Sequence, residues 1–132
     1  MILSIELKML LCATILGIVQ LILATSVKTA QRGLAWNMSS REEKVSELTG
    51  MAGRLDRAYK NFMETFPFFI AAILIVQITT MADSMSSLGA QTYFWARLIY
   101  VPVYAFGIVG IRSLVWLISL IGLLMVLATL IF

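Results

Sequence analysis

Four apolar blocks, each close to the roughly 20 residues a helix needs to cross the hydrocarbon core of a bilayer, leave this chain few folds to choose from. They run from about Met9 to Val27, Phe62 to Met81, Tyr93 to Ile111 and Ser113 to Phe132. Hydrophobic residues make up 61% of the sequence and charged ones 13%, against roughly 45–50% and about 25% in soluble domains. A water-soluble fold of 132 residues has too little interior to hide that much apolar surface. The expected fold is therefore all-α, an integral membrane four-helix bundle built as one domain over residues 1–132.

The polar connections set its orientation. The first holds Lys28, Arg32, Arg41, Lys44, Arg54, Arg57 and Lys60, and the third is little more than Arg112. The second, ADSMSSLGAQT, has Asp83 and no basic residue. Basic loops stay in the cytoplasm, so both termini and the second connection are expected on the other side, with Lys8 beside Glu6 as the one dissenting charge. The net charge of +3 then serves topology and attraction to anionic headgroups, and nothing suggests nucleic acid. Ala24 and Ser26 imitate a signal-peptide cut, but the block is long and its start is not distinctly basic, which argues for a retained span. Cys12 stands alone, so no intrachain disulfide is possible and a small buried thiol is its expected role. Histidine is absent and no cysteine or carboxylate cluster replaces it, so no metal site is expected.

Within the cytoplasmic loop, about residues 28–53, REEKVSEL has the composition for a turn or two of helix. From Arg54 there is no breaker before Pro67, so one helix begins in the cytoplasm and becomes the second span, about residues 57–81. Helical spacing lines up Arg54, Arg57, Asn61 and Glu64 on one stripe, with Phe68 continuing it. Glu64 then lies roughly 10 Å deeper than Arg57. An unpaired charge well inside a span costs on the order of 3 kcal/mol, so this stripe should turn from lipid towards a partner or ligand. Pro67 just beyond it predicts a kink.

The third span repeats the pattern in YFWARLIYVPVYAFGIVGIRSLVW. Arg97, Tyr100 and Tyr104 share a face, and Arg112 closes the span on the cytoplasmic side. Arg97 is open to two arrangements, pairing with Glu64 or snorkelling outward. The fourth span carries no charge and offers only Trp116 and a few small residues, which read as packing or lipid-facing structure. Guanidinium groups hold carboxylates in bidentate geometry, Glu64 would hold an ammonium, and phenols and an amide fix orientation. Together the two stripes suit a small, mostly anionic, zwitterionic ligand. No side chain here is an activated nucleophile, so a reaction would borrow its nucleophile from the ligand.

At these residues the chain resembles the MAPEG family, membrane-associated proteins in eicosanoid and glutathione metabolism. RAYKNFMETFP is similar to the family's arginine-alanine, asparagine, glutamate and proline spacing, and ARLIYVPVYAFGIVGIRSLVW to its third span with paired tyrosines and a following arginine-serine. The likeness covers nearly the whole chain and is nearest to small bacterial members. It implies a homotrimer in the bacterial inner membrane, with glutathione as co-substrate bound between subunits near the cytoplasmic face and a lipophilic substrate entering from membrane lipid. By the same likeness Arg57, Asn61, Glu64, Tyr100 and Tyr104 match glutathione contacts, and Arg32 lies where an arginine after the first span often contributes. Arg54 and Arg97 join this binding set through the stripes described above. Arg112 matches the arginine associated with the thiol, and Ser113 follows it. Thr65 stands where some conjugating members have a tyrosine, which removes one possible contact.

The implied activity is that of a glutathione transferase or peroxidase. Arg112 would stabilise the thiolate, with Ser113 or Tyr104 as a neutral hydrogen-bond donor, and the thiolate would attack a lipophilic electrophile or a lipid hydroperoxide. The alternative is a non-catalytic, lipid-binding scaffold of the same family, though such members tend to lack the glutathione-binding set. A small transporter or channel subunit would explain buried charge but not the tyrosine-arginine pattern.

Overall fold

The computed structural model describes residues 2–42 and 47–132, and these form five helices. They are α1 (Ile5–Arg32), α2 (Leu34–Met38), α3 (Gly50–Ile78), α4 (Ser84–Ala105) and α5 (Val109–Ile131). Four are long, and α2 is a five-residue helix that the four-helix expectation did not contain. The helical turn expected in REEKVSEL is not formed at Arg41, Glu42, Glu47 or Leu48, and the middle of that stretch, 43–46, lies outside the described residues. α1, α3 and α5 are each long and apolar enough to cross a membrane. α4 has the length, about 33 Å at 1.5 Å per residue, but its first turns, SMSSLGAQ, are more polar.

Each helix end has a local cause. Ser4 caps α1, its hydroxyl accepting from the Leu7 N–H, and Gly33 at φ 94° ends that helix. Most of ADSMSSLGAQT, expected as a connection, is the start of α4, because Asp83 and Ser86 form a reciprocal capping box. α4 stops earlier than Ile111. The Gly107 N–H bonds to the Tyr104 carbonyl and the Ile108 N–H to that of Val103, with Gly107 at φ 73°. This is the Schellman arrangement, which needs a left-handed residue where glycine costs nothing. The chain therefore reverses within Phe106–Ile108, and Arg112 belongs to the first turn of α5, not to the end of the third span.

α3 is the central element, and it continues as one helix through Pro67. Phe62, Phe66, Phe69, Ile73 and Val76 recur at helical spacing and meet Ala13 and Leu16 of α1, Ala90, Tyr93 and Phe94 of α4, and Leu123 and Val126 of α5. Phe69 stacks on Tyr93 with ring centroids 4.0 Å apart. α4 and α5 approach backbone to backbone, since a Cβ on Gly89 would lie 2.6 Å from the Gly122 carbonyl oxygen. Small residues at such crossings let apolar helices associate through packing. The outward faces carry Ile15, Ile18, Ile22, Ile75, Leu114, Leu117, Ile121 and Leu124, a surface suited to lipid and not to water. Cys12, expected buried, is half-exposed beside this core.

Candidate functional site

Towards the Schellman turn, α3, α4 and α5 converge, and the polar stripes face one another. The second buried cluster, Ala58, Ala96, Tyr100 and Val115, forms a tight base there, with Tyr104 and Trp116 packed against it. Alanines at 58 and 96 leave room for the long polar side chains around them.

Tyr104 is the hub. Arg57 of α3 donates from Nε to its hydroxyl at 3.2 Å, and the Arg112 guanidinium of α5 sits over its ring, 4.8 Å from the centroid. A cation at that distance from an aromatic face is attracted by the ring quadrupole. Tyr100, one turn back, lies 5.6 Å from Tyr104 between centroids. Arg54 donates from Nη1 to the Ala105 carbonyl at 3.2 Å, placing a cation at the negative end of the α4 dipole.

Arg97 neither pairs with Glu64 nor snorkels. It is 1% exposed, lies against the rings of Tyr100 and Phe62, and donates from Nη1 to Asn61 Oδ1 at 2.9 Å. The ion pairs among the described residues are Lys28–Asp56 and Lys60–Asp56, at 3.0 and 2.9 Å. Glu64 is exposed, yet near enough for its charge to act on Arg97 and Tyr100.

A cavity of about 380 Å³ opens between these helices, lined by Asn61, Tyr100, Tyr104, Arg112, Ser113 and Trp116. Beside it a smaller one, about 250 Å³, is lined by Arg54, Arg57, Tyr104, Gly107, Val109 and Arg112, so Tyr104 and Arg112 form the partition. Both linings are rich in guanidinium and phenol and contain no carboxylate, which suits a ligand with anionic oxygens or a thiolate. The ammonium of a zwitterion finds no counter-charge in either lining. A third cavity, about 370 Å³, lies between α1 and α3 and is lined by Lys28, Arg32, Glu47, Leu48, Gly53, Asp56, Arg57 and Lys60.

The structure thus gathers Asn61, Tyr100, Tyr104, Arg112 and Ser113 around one cavity, with Arg54 and Arg57 at the adjoining one and Arg97 behind the wall. Within a single chain Arg32 is not among them; it stands on the α1 side, its guanidinium 4.6 Å from the Trp36 ring centroid. Trp116 was expected as packing or lipid-facing structure and instead lines the cavity, one turn beyond Arg112 on the same face of α5. That i, i+4 spacing was the available signal. Tyr93 was also passed over; it extends the Arg97, Tyr100, Tyr104 stripe by one turn and hydrogen-bonds Thr65 at 3.0 Å. Thr65 therefore has a buried partner of its own.

The MAPEG family model matches residues 9–132, essentially the whole chain. No curated protein matches it.

Proposed function

The chain belongs to the MAPEG family and is an integral membrane protein, and on that premise we propose that it is a glutathione-dependent transferase or peroxidase acting on lipophilic substrates. The observation that carries this reading is Tyr104, with Arg57 on its hydroxyl and Arg112 over its ring, at the partition of two carboxylate-free cavities. Arg57, Asn61 and Tyr100 bind and orient glutathione through its anionic groups. Arg112 holds the sulfur as thiolate, because a guanidinium stabilises the anion of a thiol whose ordinary pKa is about 8.5. Ser113 and the Tyr104 hydroxyl supply neutral donors.

In the transferase reaction the sulfur forms a bond to an electrophilic carbon, and the displaced group or an added proton balances the charge. In the peroxidase reaction a hydroperoxide O–O bond is cleaved to an alcohol and water, and two glutathione thiols supply the electrons as they join in a disulfide. The apolar outer faces of α5 and α3 give a lipophilic partner access from the bilayer.

In this reading all four long helices span the bacterial inner membrane with both termini on the non-cytoplasmic side. Three copies assemble so that Glu64 and Arg32, neither of which lines the cavity in one chain, complete sites at subunit boundaries. Glu64 then supplies the counter-charge for the glutathione ammonium.

Calorimetry of glutathione binding to the detergent-purified protein, read with the thiolate absorbance of bound glutathione, tests the proposal. Saturable binding with thiolate present near neutral pH is expected, and Arg57→Ala should abolish it. Absence of binding at millimolar glutathione would reject it in favour of a non-catalytic lipid-binding scaffold.

A further inference from the structure

Behind the wall of the larger cavity lies a guanidinium that does not reach its lumen. Arg97 is 1% exposed and does not line the cavity, yet it touches two residues that do. Its Nη1 donates to Asn61 Oδ1 at 2.9 Å, and its guanidinium carbon is 4.6 Å from the Tyr100 ring centroid. Its Nε and Nη2 are buried and make no hydrogen bond among the described residues.

An arginine side chain has five donors and no acceptor. The atom that Asn61 turns towards it is therefore the carbonyl oxygen, whatever else surrounds the amide. The amide nitrogen makes no hydrogen bond among the described residues, and Asn61 lines the cavity. An unconstrained asparagine can present either its oxygen or its nitrogen to a ligand; this one cannot turn without setting N–H against N–H.

We propose that Arg97 is a positioning residue for the ligand site: by holding Asn61 Oδ1 it commits the amide to offer N–H donors to the cavity, so that Asn61 selects an anionic oxygen such as a carboxylate. No carboxylate forms an ion pair with Arg97 among the described residues, and Glu64 acts on it only from beyond contact distance, so part of its positive charge also acts through the thin wall of Asn61 and Tyr100. In the low dielectric between packed helices that field is poorly screened and favours the same ligand charge. A plain structural anchor between α3 and α4 would need the hydrogen bond but would not depend on which end of the amide faces the cavity.

The inference rests on glutathione being the ligand, and the test separates the two. Glutathione affinity is measured by calorimetry on the full-length protein in detergent, alongside thermal stability, for wild type, Arg97→Gln, Arg97→Lys, Asn61→Ala and Asn61→Ala/Arg97→Gln. Glutamine can donate or accept and so releases the amide, and affinity should fall roughly tenfold, the scale of one hydrogen bond to a charged group. Lysine, again donor only, should cost roughly threefold or less. Once Asn61 is alanine, Arg97→Gln should have no further effect. An equal loss in the alanine background, or lysine as harmful as glutamine, overturns the proposal.

Should the Arg97 variants fail to fold, Asn61→Asp decides. Aspartate pairs with Arg97 but offers the cavity no N–H, so it should melt at least as high as wild type while losing affinity roughly tenfold. Undiminished affinity would overturn the proposal. If the wild type itself does not bind glutathione, the functional reading fails, and the stability order still tests the Arg97–Asn61 orientation. Aspartate must then be the most stable residue at position 61 and alanine less stable than asparagine; any other order overturns it.

Discussion

Arg112 lies over the ring of Tyr104 with its guanidinium carbon 4.8 Å from the centroid, although the two residues belong to different helices. Three residues, Phe106–Ile108, make the reversal between those helices. The contact holds a long, flexible cation in place by the ring face and leaves its N–H groups for a ligand. Arg112→Ala should therefore reduce kcat by about two to three orders of magnitude, as for loss of a donor aimed at developing negative charge. Glutathione affinity should change by roughly threefold or less, since the proposed contacts of Arg57, Asn61 and Tyr100 would be left in place. Steady-state kinetics with a hydrophobic electrophile, set against calorimetry, makes the comparison; unchanged kcat removes Arg112 from the mechanism.

Tyr104→Phe isolates the hydroxyl from the ring. Arg112 keeps its aromatic face, whereas Arg57 loses the acceptor 3.2 Å from its Nε. A hydrogen bond to a charged group is worth about 1.5–3 kcal/mol, and part of this is regained because Arg57 remains reachable by water. Glutathione binding should weaken roughly threefold to tenfold while melting temperature stays within a few degrees of wild type. An affinity equal to wild type would show that the phenol does not orient Arg57 for the ligand.

The helices and the two stripes were legible in the sequence because each follows from local spacing. Arg57 and Asn61 share a face of α3, and Arg97, Tyr100 and Tyr104 share one of α4, whatever the helices pack against. What spacing could not supply is which stripe member meets which. Arg97 bonds Asn61 and not Glu64 because the bundle turns Asn61 towards it and leaves the Glu64 side chain exposed, reaching Arg97 only through its charge. That is a matter of helix rotation by less than one residue, and it is set by Phe62, Phe66 and Phe69 filling the core. The early start of α4 was written in Asp83 and Ser86 but was hidden by polar composition. The reach of Lys28 to Asp56, across two helices and a long loop, left no trace in sequence spacing.

The turn after α3 carries a strain that can be relieved. Thr80 sits at φ 55°, with its N–H bonded to the Gln77 carbonyl and that of Met81 to the Val76 carbonyl, the same Schellman pattern that Gly107 serves after α4. A β-branched residue in the left-handed region costs roughly 1–2 kcal/mol. Glycine avoids that cost but has more freedom in the unfolded chain. Thr80→Gly should therefore stabilise the protein by about 0.5–1 kcal/mol. Denaturant titration in detergent reads the change, and a lower stability would mean that the threonine hydroxyl bond to the Thr79 carbonyl, 2.7 Å long, outweighs the strain.

The opposite result is expected at the α4–α5 crossing. A Cβ on Gly122 would lie 2.6 Å from the Tyr93 amide nitrogen and 2.7 Å from the Gly89 carbonyl oxygen. Both are backbone atoms, so the helices themselves must part. Alanine would normally favour a helix over glycine by about 0.8–1 kcal/mol, and overpacking costs typically 1–3 kcal/mol. Here the second term wins, because parting α4 from α5 also loosens the stack of Phe69 on Tyr93. Gly122→Ala should destabilise the protein by about 1–2 kcal/mol. The same parting carries Tyr104 away from Arg112, so kcat should fall with stability. Gly110, which has nothing within 4 Å of an added Cβ, is the control; Gly110→Ala should keep the fold at least as stable, and equal stability of the two variants would contradict the close crossing.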